Sequence, residues 1–326
     1  MRIRDFDFSD ADYATLARIF EAACPGQPES PEYWRRVDGE RDPALLQRRL
    51  IGEVAGEPVA VATYGHDAMA LHPRKLLIDL RVAPEHQGRG YGARLYDHLR
   101  QEAASVAPIS FEAMTRDDLP RAVRFLEDRG FELRQRQASS ELDLAAFDPA
   151  PYRPLRERLA RRGFALRTWR QLADEPGAEQ RLYELSHDIY PDVPWHTDGS
   201  PIAFDFWIQS YRDNPDLLPD CLVVAIDEAS DRWVALSQIW ASQASRTLFF
   251  TGLTGVLREA RRQGLATAVK VETLRNLAAA QPAHPRGPFV RTQNYEHNPM
   301  LTINRRLGFT ELPAGLAYVL EVEEES

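Results

Sequence analysis

The chain has 326 residues, 44% of them hydrophobic and 27% charged, which is the composition of a globular protein with apolar cores, and its length favours two domains. Forty basic residues against 49 acidic ones give a formal net charge of -9, which argues against a nucleic-acid or anionic-membrane partner because phosphate binding needs a basic surface. Two cysteines, Cys24 and Cys221, are too few for a disulfide framework or a cysteine-rich metal site, and we predict no metal.

The start of the chain carries no targeting pattern. Its first ten residues, MRIRDFDFSD, lack the apolar core of a signal peptide. No apolar run approaches the roughly 20 residues of a membrane-spanning helix. We therefore expect a cytoplasmic protein.

The first half of the chain alternates between strand and helix patterns, which predicts an α/β fold with a mixed sheet. In chain order we predict a strand at 1–4, a helix at 13–23 after the candidate N-caps Ser9 and Asp10, a hairpin over 51–64, a strand at 75–82, a helix at 90–103, a strand at 109–114, a short helix at 119–129 and a strand at 131–144.

The second half repeats this order. It has a helix pattern at 178–190, strand patterns at 221–226, 233–242 and 246–256, a helix to about 280, a strand at 289–293, a helix near 299–307 and a closing strand to 323. Gly90 and Gly264 lie 174 positions apart, and the Gly-Phe pairs at 130–131 and 308–309 lie 178 apart. Two landmarks with nearly one period indicate a duplication. The proline-rich segment FDPAPYRP marks the boundary, so we predict modules at 1–148 and 149–326.

Each half contains the same loop between a strand and a helix. The first reads VAPEHQGRGYG over residues 82–92, and the second reads VLREARRQGLA over residues 256–266. Both fit Gln/Arg-x-x-Gly-x-Gly/Ala, beginning five residues after a valine that ends a strand. Free backbone N–H groups at a helix N-terminus bind a pyrophosphate, and glycine at 90 and 264 permits its close approach.

A second interpretation of the first loop is a dinucleotide fingerprint, because residues 88–93 match G-x-G-x-x-A. That fingerprint follows the first strand of its domain, whereas this loop follows a hairpin. The second copy also lacks the Gly-x-Gly pair, so we favour the pyrophosphate loop.

With these motifs the chain resembles the GNAT superfamily of N-acetyltransferases, in a tandem layout similar to mycothiol synthase-like double-module enzymes. The resemblance implies two GNAT modules, acetyl-CoA as co-substrate and acetyl transfer to a primary amine, with a small molecule as the expected acceptor. The family's strand before the loop binds the pantetheine arm and its loop amides bind the pyrophosphate. Carried over, the cofactor-binding residues are Leu80, Arg81, Val82, Gln87, Gly88, Arg89, Gly90, Tyr91 and Gly92 in the first module, and Thr254, Gly255, Val256, Arg261, Arg262, Gln263, Gly264, Leu265, Ala266, Asn294 and Asn298 in the second.

The chain departs from the family at the general acid. The tyrosine that protonates the leaving thiolate usually lies four residues before the Gly of Gly-Phe, where this chain has Leu126 and Asn304. Tyr318 is a candidate replacement, as is Tyr295 by residue type, with packing as the alternative role of each.

For the general base the sequence offers Asp79, on the strand where the family often carries a carboxylate. Its alternative role is that of a solvated strand residue. A second group of candidates lies in and just before the segment at 190–196, YPDVPWH. Asp188 and Asp192 could bind a cationic amine, and His187 or His196 could serve as a base near neutral pH; a loop anchored by Trp195 is the other interpretation.

The motifs of the second module are the more complete, so the sequence favours it as the active one. Two other functions remain open. One is a coenzyme A-binding or regulatory protein without catalysis, and the other is acetylation of a protein N-terminus or lysine.

Overall fold

The computed structural model describes residues 1–25, 29–67, 72–193, 203–212, 214–242, 245–281 and 287–322. Its strands are β1 Arg2–Asp5, β2 Gln47–Val54, β3 Glu57–Gly65, β4 Lys75–Val82, β5 Ser110–Arg116, β6 Glu132–Asp143, β7 Phe164–Thr168, β8 Leu217–Asp227, β9 Arg232–Ser242, β10 Ser245–Val256, β11 Phe289–Tyr295 and β12 Thr310–Glu321. Its helices are α1 Asp10–Ala23, α2 Pro31–Glu40, α3 Tyr91–Ala103, α4 Pro120–Glu127, α5 Arg153–Arg161, α6 Trp169–Leu172, α7 Ala178–Ile189, α8 Phe204–Arg212, α9 Leu265–Ala280 and α10 Met300–Arg306. The predicted α/β class is confirmed.

The chain forms two compact units. Unit 1 comprises the described residues of Met1–Arg136 and Ala314–Ser326, and unit 2 comprises those of Gln137–His196 and Pro201–Pro313. Unit 1 combines the first part of the chain with its last strand, and β6 and β12 each begin in one unit and end in the other.

Unit 1 contains six neighbouring strands in the order β1-β2-β3-β4-β5-β12. All pairs are antiparallel except β4 with β5, which is parallel. That parallel ladder joins residues 75–78 to residues 110–113 and then ends. Residues 79–82 of β4 therefore pair with β3 but keep a backbone edge that is not bonded to β5.

The two faces of this sheet carry different helices. Successive residues of a strand point to opposite faces, and on one face Ile78 of β4 packs in the apolar cluster that contains Leu95 of α3. On the other face Val61, the β3 partner of Arg81, packs with Ile19 of α1. Side chains at odd positions of β4 consequently lie on the α1 side.

Unit 2 has the same plan, with neighbouring strands in the order β7-β8-β9-β10-β11-β6. Its parallel pair is β10 with β11, and their ladder joins residues 248–250 to residues 289–291 before it ends. Its largest apolar cluster contains Leu222 of β8, Leu236 of β9 and Val269 of α9. The duplication inferred from sequence is therefore also a duplication of topology.

The last strand of each unit comes from the other half of the sequence. In unit 1, β12 pairs antiparallel with β5 from Gly315↔Arg116 to Glu321↔Ser110. In unit 2, β6 pairs antiparallel with β11 from Phe289↔Asp143 to Tyr295↔Gln137. The sequence assigns residues 131–144 to the first module, whereas the structure places most of this strand in unit 2.

This exchange predicts the result of a truncation. Ending the chain at Pro313 removes the strand partner of β5 and takes Leu316 and Tyr318 out of the unit 1 core. Losing two large buried side chains costs roughly 2–5 kcal/mol each, which approaches the whole stability of a domain. We expect the truncated chain to be insoluble or to lose cooperative unfolding in circular dichroism. A chain ending at Val322 is the control and should unfold like the full chain.

Candidate functional site

The loop between β4 and α3 forms a cradle of backbone groups in unit 1. The side-chain amide of Gln87 donates to the carbonyl oxygen of Val82 at 3.0 Å, which fixes the entry to the turn. Gly88 and Gly90 have φ values of +76° and +78°, a region that favours glycine. Gly90 is the N-cap of α3 and no side chain caps the helix. Its first N–H groups are thus available to an anion.

The space next to Gly90 is open. A Cβ placed on this residue would meet no heavy atom within 4 Å outside its chain neighbours. Gly92, in the first turn of α3, would bring its Cβ to 3.6 Å from Leu80, Val82 and Phe125. Of the other predicted contacts, Arg89 is exposed and Tyr91 packs beside the apolar cluster of unit 1.

The loop between β10 and α9 in unit 2 has the same backbone conformation. The Arg261 guanidinium donates to the carbonyl oxygen of Val256 at 3.1 Å, as Gln87 does to Val82. Arg262 and Gly264 have φ values of +63° and +92°, and Gly264 is the N-cap of α9. Leu265 is buried and Ala266 packs beside the same core.

The surroundings of the two loops differ. A Cβ on Gly264 would lie 2.8 Å from Cδ1 of Leu155, a residue of α5. The next residue back, Gln263, accepts a hydrogen bond from Arg162 at 2.7 Å. In unit 2 the chain's own side chains thus occupy the space that is open beside Gly90.

The strand before the second loop is covered as well. A Cβ on Gly255 would lie 2.2 Å from Cγ2 of Ile189, at the end of α7. Thr254 exchanges a hydrogen bond with Ser237 at 2.9 Å. At the 174-residue period, Gly255 corresponds to Arg81 of unit 1, so Ile189 packs against the strand at the position where unit 1 has Arg81.

Asp192 reaches the same loop of unit 2. Its carboxylate accepts hydrogen bonds from Arg258 at 3.0 Å and also from Arg261. The hydrogen bonds from Arg258 and then Arg261 lower the pKa of Asp192 to about 2. Asp192 therefore pairs with the loop arginines instead of an amine, while Trp195 and His196 lie outside the described residues.

Asp79 and Arg81 form an ion pair on the α1 side of the unit 1 sheet. Arg81 donates to both carboxylate oxygens of Asp79, at 2.7 and 2.9 Å. Its guanidinium also lies 5.0 Å from the ring centroid of Phe20 and bonds the side chain of Cys24. Both carboxylate oxygens of Asp79, the predicted general base, therefore accept hydrogen bonds from Arg81.

The connection between α1 and α2 begins with Cys24 and Pro25, which contact β4 and β5. Arg81 of β4 contacts this connection at Cys24, and Arg116 at the end of β5 donates to the carbonyl oxygen of Pro25 at 3.4 Å. On the same face of the two strands, Leu77 and Met114 are exposed apolar side chains. The result is a surface with an apolar floor and charged groups at its edge.

Glu29 belongs to this connection, and sequence reasoning missed it. Its Oε2 atom is buried and has no hydrogen-bond partner among the described residues. Burial raises the pKa of Glu29 to about 7; the facing charges of Asp79 and Glu21 add to the rise, and Arg81 opposes it. No periodicity or motif marks Glu29, because it precedes the helix cap Ser30 in an irregular segment.

Tyr318 lies in unit 1, on β12, although it belongs to the second half of the sequence. Its side chain is buried in the α3-side cluster and its hydroxyl donates to Glu127 of α4 at 3.0 Å. Burial, followed by this hydrogen bond, raises the pKa of Tyr318. Tyr295 of β11 accepts a hydrogen bond from Gln137 in unit 2. Their catalytic roles stay predictions.

The asparagines of unit 2 bond to the protein itself. Asn294 accepts a hydrogen bond from Asn304 at 2.6 Å, and Asn304 accepts one from the buried Lys270 at 2.6 Å. Asn298 accepts from the backbone N–H of Met300 at the start of α10, which is a capping contact. Coenzyme A contacts for Asn294 and Asn298 stay predictions.

Comparisons with known proteins agree with this geometry. Residues 13–131 match the profile described as the Acetyltransferase (GNAT) family. A GCN5-related N-acetyltransferase from Sphaerobacter thermophilus is similar over 99% of this chain and 96% of its own, at 18% identity and a TM-score of 0.72. A tandem GNAT protein from the clavulanic acid biosynthesis pathway is similar over 100% of this chain and 99% of its own, at 18% identity and a TM-score of 0.74.

A third similar structure is the glucosamine N-acetyltransferase region of a fungal multi-domain GH3 beta-N-acetylglucosaminidase. It covers 97% of this chain and 38% of its own, at 14% identity and a TM-score of 0.69.

The prediction of a tandem GNAT protein is confirmed: the chain carries a GNAT-family acetyltransferase module over residues 13–131 and the tandem fold along its length. The family matched over residues 13–131 is one of acyltransferases, in which transfer from acyl-CoA is general. No helix in the described part of the chain is long and apolar enough to cross a bilayer.

Proposed function

We propose that unit 1 is an N-acetyltransferase that moves the acetyl group of acetyl-CoA to a primary amine, with a small molecule as acceptor. One observation carries the choice of unit: the space beside Gly90 is open, whereas Leu155 occupies the corresponding space beside Gly264. The sequence favours the second module because its motifs are more complete. A complete motif, however, does not show whether side chains from elsewhere in the chain fill the space beside it.

The residues of unit 1 fit the co-substrate by their backbone. Residues 80–82 of β4 offer the strand edge that β5 leaves free, which suits the amides of a pantetheine arm. The N–H groups at the start of α3, with Gly88 and Gly90 shaping the turn, suit a pyrophosphate. In this proposed binding mode the thioester lies near the point where β4 and β5 separate, and the acceptor binds on the α1 side of the sheet.

The acceptor surface supports an amine joined to an apolar group. Leu77 and Met114 are exposed at 36% and 48% beside the charged edge formed by Asp79 and Arg81. Apolar side chains there would contact the body of the acceptor, while carboxylates attract its ammonium group. Thiol release with small amines, compared with peptide N-termini and lysine peptides, identifies the acceptor class.

For unit 2 we propose a scaffolding role without coenzyme A. The side chains of Leu155 and Ile189 take the places where the loop and the strand would contact the ligand. At the period of 174, Asp79 and Arg81 correspond to Leu253 and Gly255, so the charged pair has no counterpart. The division at 148 and 149 is kept as a proposal for the duplicated segments, distinct from the compact units.

The different surroundings of Gly90 and Gly264 predict how many acetyl-CoA molecules bind to each chain. We expect titration calorimetry to give one acetyl-CoA per chain, because a single loop has free space. Gly90→Glu should remove this binding, and Gly264→Glu should leave it intact. Two binding events in the wild-type protein, or loss of binding only in Gly264→Glu, would contradict the proposal. Leu155→Ala, which vacates the space beside Gly264, tests whether that side chain alone prevents a second event.

A further inference from the structure

The amine that attacks a thioester must first lose a proton. An alkylammonium group has a pKa near 10.4, so a facing carboxylate with a free oxygen is needed to accept it near neutral pH. Unit 1 has two candidates on the α1 side of the sheet, Asp79 and Glu29. Their hydrogen bonds differ, and this difference decides between them.

Asp79 is occupied. Both of its oxygens accept hydrogen bonds from Arg81 in a bidentate ion pair. A proton taken up by Asp79 would break one of these bonds. Glu29, by contrast, has a buried Oε2 atom without a partner in the described part of the chain. An unbonded acceptor at a buried position is costly unless a ligand donates to it.

The position of Glu29 fits the reaction. Cys24 and Pro25, which follow α1, contact Arg81 of β4 and Arg116 of β5. Glu29 faces Asp79 and Arg81, on the part of β4 that does not pair with β5. On the proposed function of unit 1, the thioester reaches this part of β4 from the α3 side. An amine entering from the α1 side then lies between the thioester and the connection that carries Glu29.

We propose that Glu29 is the general base of acetyl transfer, and that the Asp79–Arg81 pair positions it and tunes its charge. The Glu29 carboxylate accepts a proton from the ammonium group, and the free amine nitrogen forms a bond to the acetyl carbonyl carbon. The carbon–sulfur bond breaks and its electrons stay on sulfur. The second amine proton goes to the thiolate, which leaves as coenzyme A thiol, and Glu29 releases its proton to solvent.

The charges around Glu29 set the pH range in which its carboxyl group is ionised. Burial raises its pKa to about 7, and the facing groups are Asp79 and Arg81 of β4 and Glu21 of α1. Glu29 must be ionised to act as a base, so activity should rise with pH and level off above about 7. Replacing Asp79 by Asn removes a negative charge that opposes ionisation, so the rise should move to lower pH.

The test compares Glu29→Gln, Asp79→Asn and the control Glu57→Gln, with thiol release from acetyl-CoA measured against a panel of alkylamines and hydroxylamine. Glu29→Gln should lower kcat by roughly a hundredfold or more without changing the affinity for acetyl-CoA, and should lose the rise near pH 7. The loss should be smaller with hydroxylamine, which is largely unprotonated at neutral pH. Glu57→Gln removes an exposed carboxylate at the start of β3 and should change kcat by less than about twofold.

A second measurement needs no acceptor. Because the folded state favours the neutral form of Glu29, its contribution to stability is full below about pH 4.5 and is lost as pH rises through about 7. Glu29→Gln should therefore raise Tm relative to wild type more at pH 8 than at pH 5. An equal difference at both values would show that Glu29 is not a buried carboxylate.

The outcomes separate this inference from the proposed function. No thiol release by the wild-type protein with any amine, together with no acetyl-CoA binding, overturns the function of unit 1. Wild-type activity that survives in Glu29→Gln with its pH profile intact overturns only the role of Glu29. Loss of activity in Asp79→Asn alone would return the role of base to Asp79.

Discussion

Gly90→Glu is expected to abolish acetyl transfer, while Gly264→Glu leaves it nearly intact. A carboxylate at position 90 would lie in the open space beside the free N–H groups of α3. It would replace and repel the pyrophosphate, so we expect kcat/KM to fall roughly a hundredfold or more. At position 264 the same change meets Leu155, within 2.8 Å of the new Cβ. It should lower Tm and change kcat/KM of the folded protein by no more than about twofold.

Alanine variants separate the charge from the backbone strain. Gly90→Ala places a side chain at the same positive φ of +78° but adds only a methyl group in open space. It should therefore lose stability like Gly90→Glu and keep most of its activity. If Gly264→Glu is inactive and Gly90→Glu is active, the site lies in unit 2 and Leu155 must move for the ligand to bind.

Lys270 is expected to make the stability of the protein rise with pH. It is one of two lysines in the chain, and its side chain is buried in unit 2, where it donates to Asn304 at 2.6 Å. Burial lowers the pKa of Lys270 to about 7. Between this value and the unfolded value near 10.4, the unfolded chain binds a proton that the folded chain does not. Stability therefore increases with pH, by about 2 kcal/mol from pH 7 to pH 9.

Lys270→Met should remove this rise. Urea unfolding at the two pH values measures it, and Lys75→Met is the matched control because Lys75 is exposed. Lys270→Met also leaves the Asn304 oxygen without its donor. This costs about 1–3 kcal/mol at either pH. The comparison therefore uses the change in the free energy of unfolding between the two pH values. An equal slope in Lys270→Met and the wild-type protein would show that Lys270 is charged in the folded state or exposed.

Sequence patterns predicted most of the elements that surround the site. The strand predicted at 75–82 is β4, and the helix predicted at 90–103 is α3 with Gly90 as its cap. The predicted hairpin turn is formed by Ala55 and Gly56, both with positive φ. These features depend on local alternation and on glycine conformations, which the sequence shows directly.

Helices α2, α5, α6 and α8 and strand β7 were not predicted. In α2 no residue is buried, so the segment has no full apolar stripe to reveal it. In α5 the prolines at 149, 151 and 154 suggested a linker, although proline is favoured in the first turn of a helix, where Pro154 lies. Without α5 the sequence could not show that Leu155 fills the space beside Gly264.

The sequence alone determined that this protein has two loops of one pattern, each between a strand and a helix, and that the two halves repeat one plan. Only the tertiary structure decided which loop is open, that β6 and β12 complete the opposite units, and that Glu29 lies beside Asp79. The reason is physical: a loop's conformation depends on neighbouring residues through their φ and ψ angles. The space beside Gly264, however, depends on Leu155, which is 109 positions away and reaches the loop only when the chain has folded.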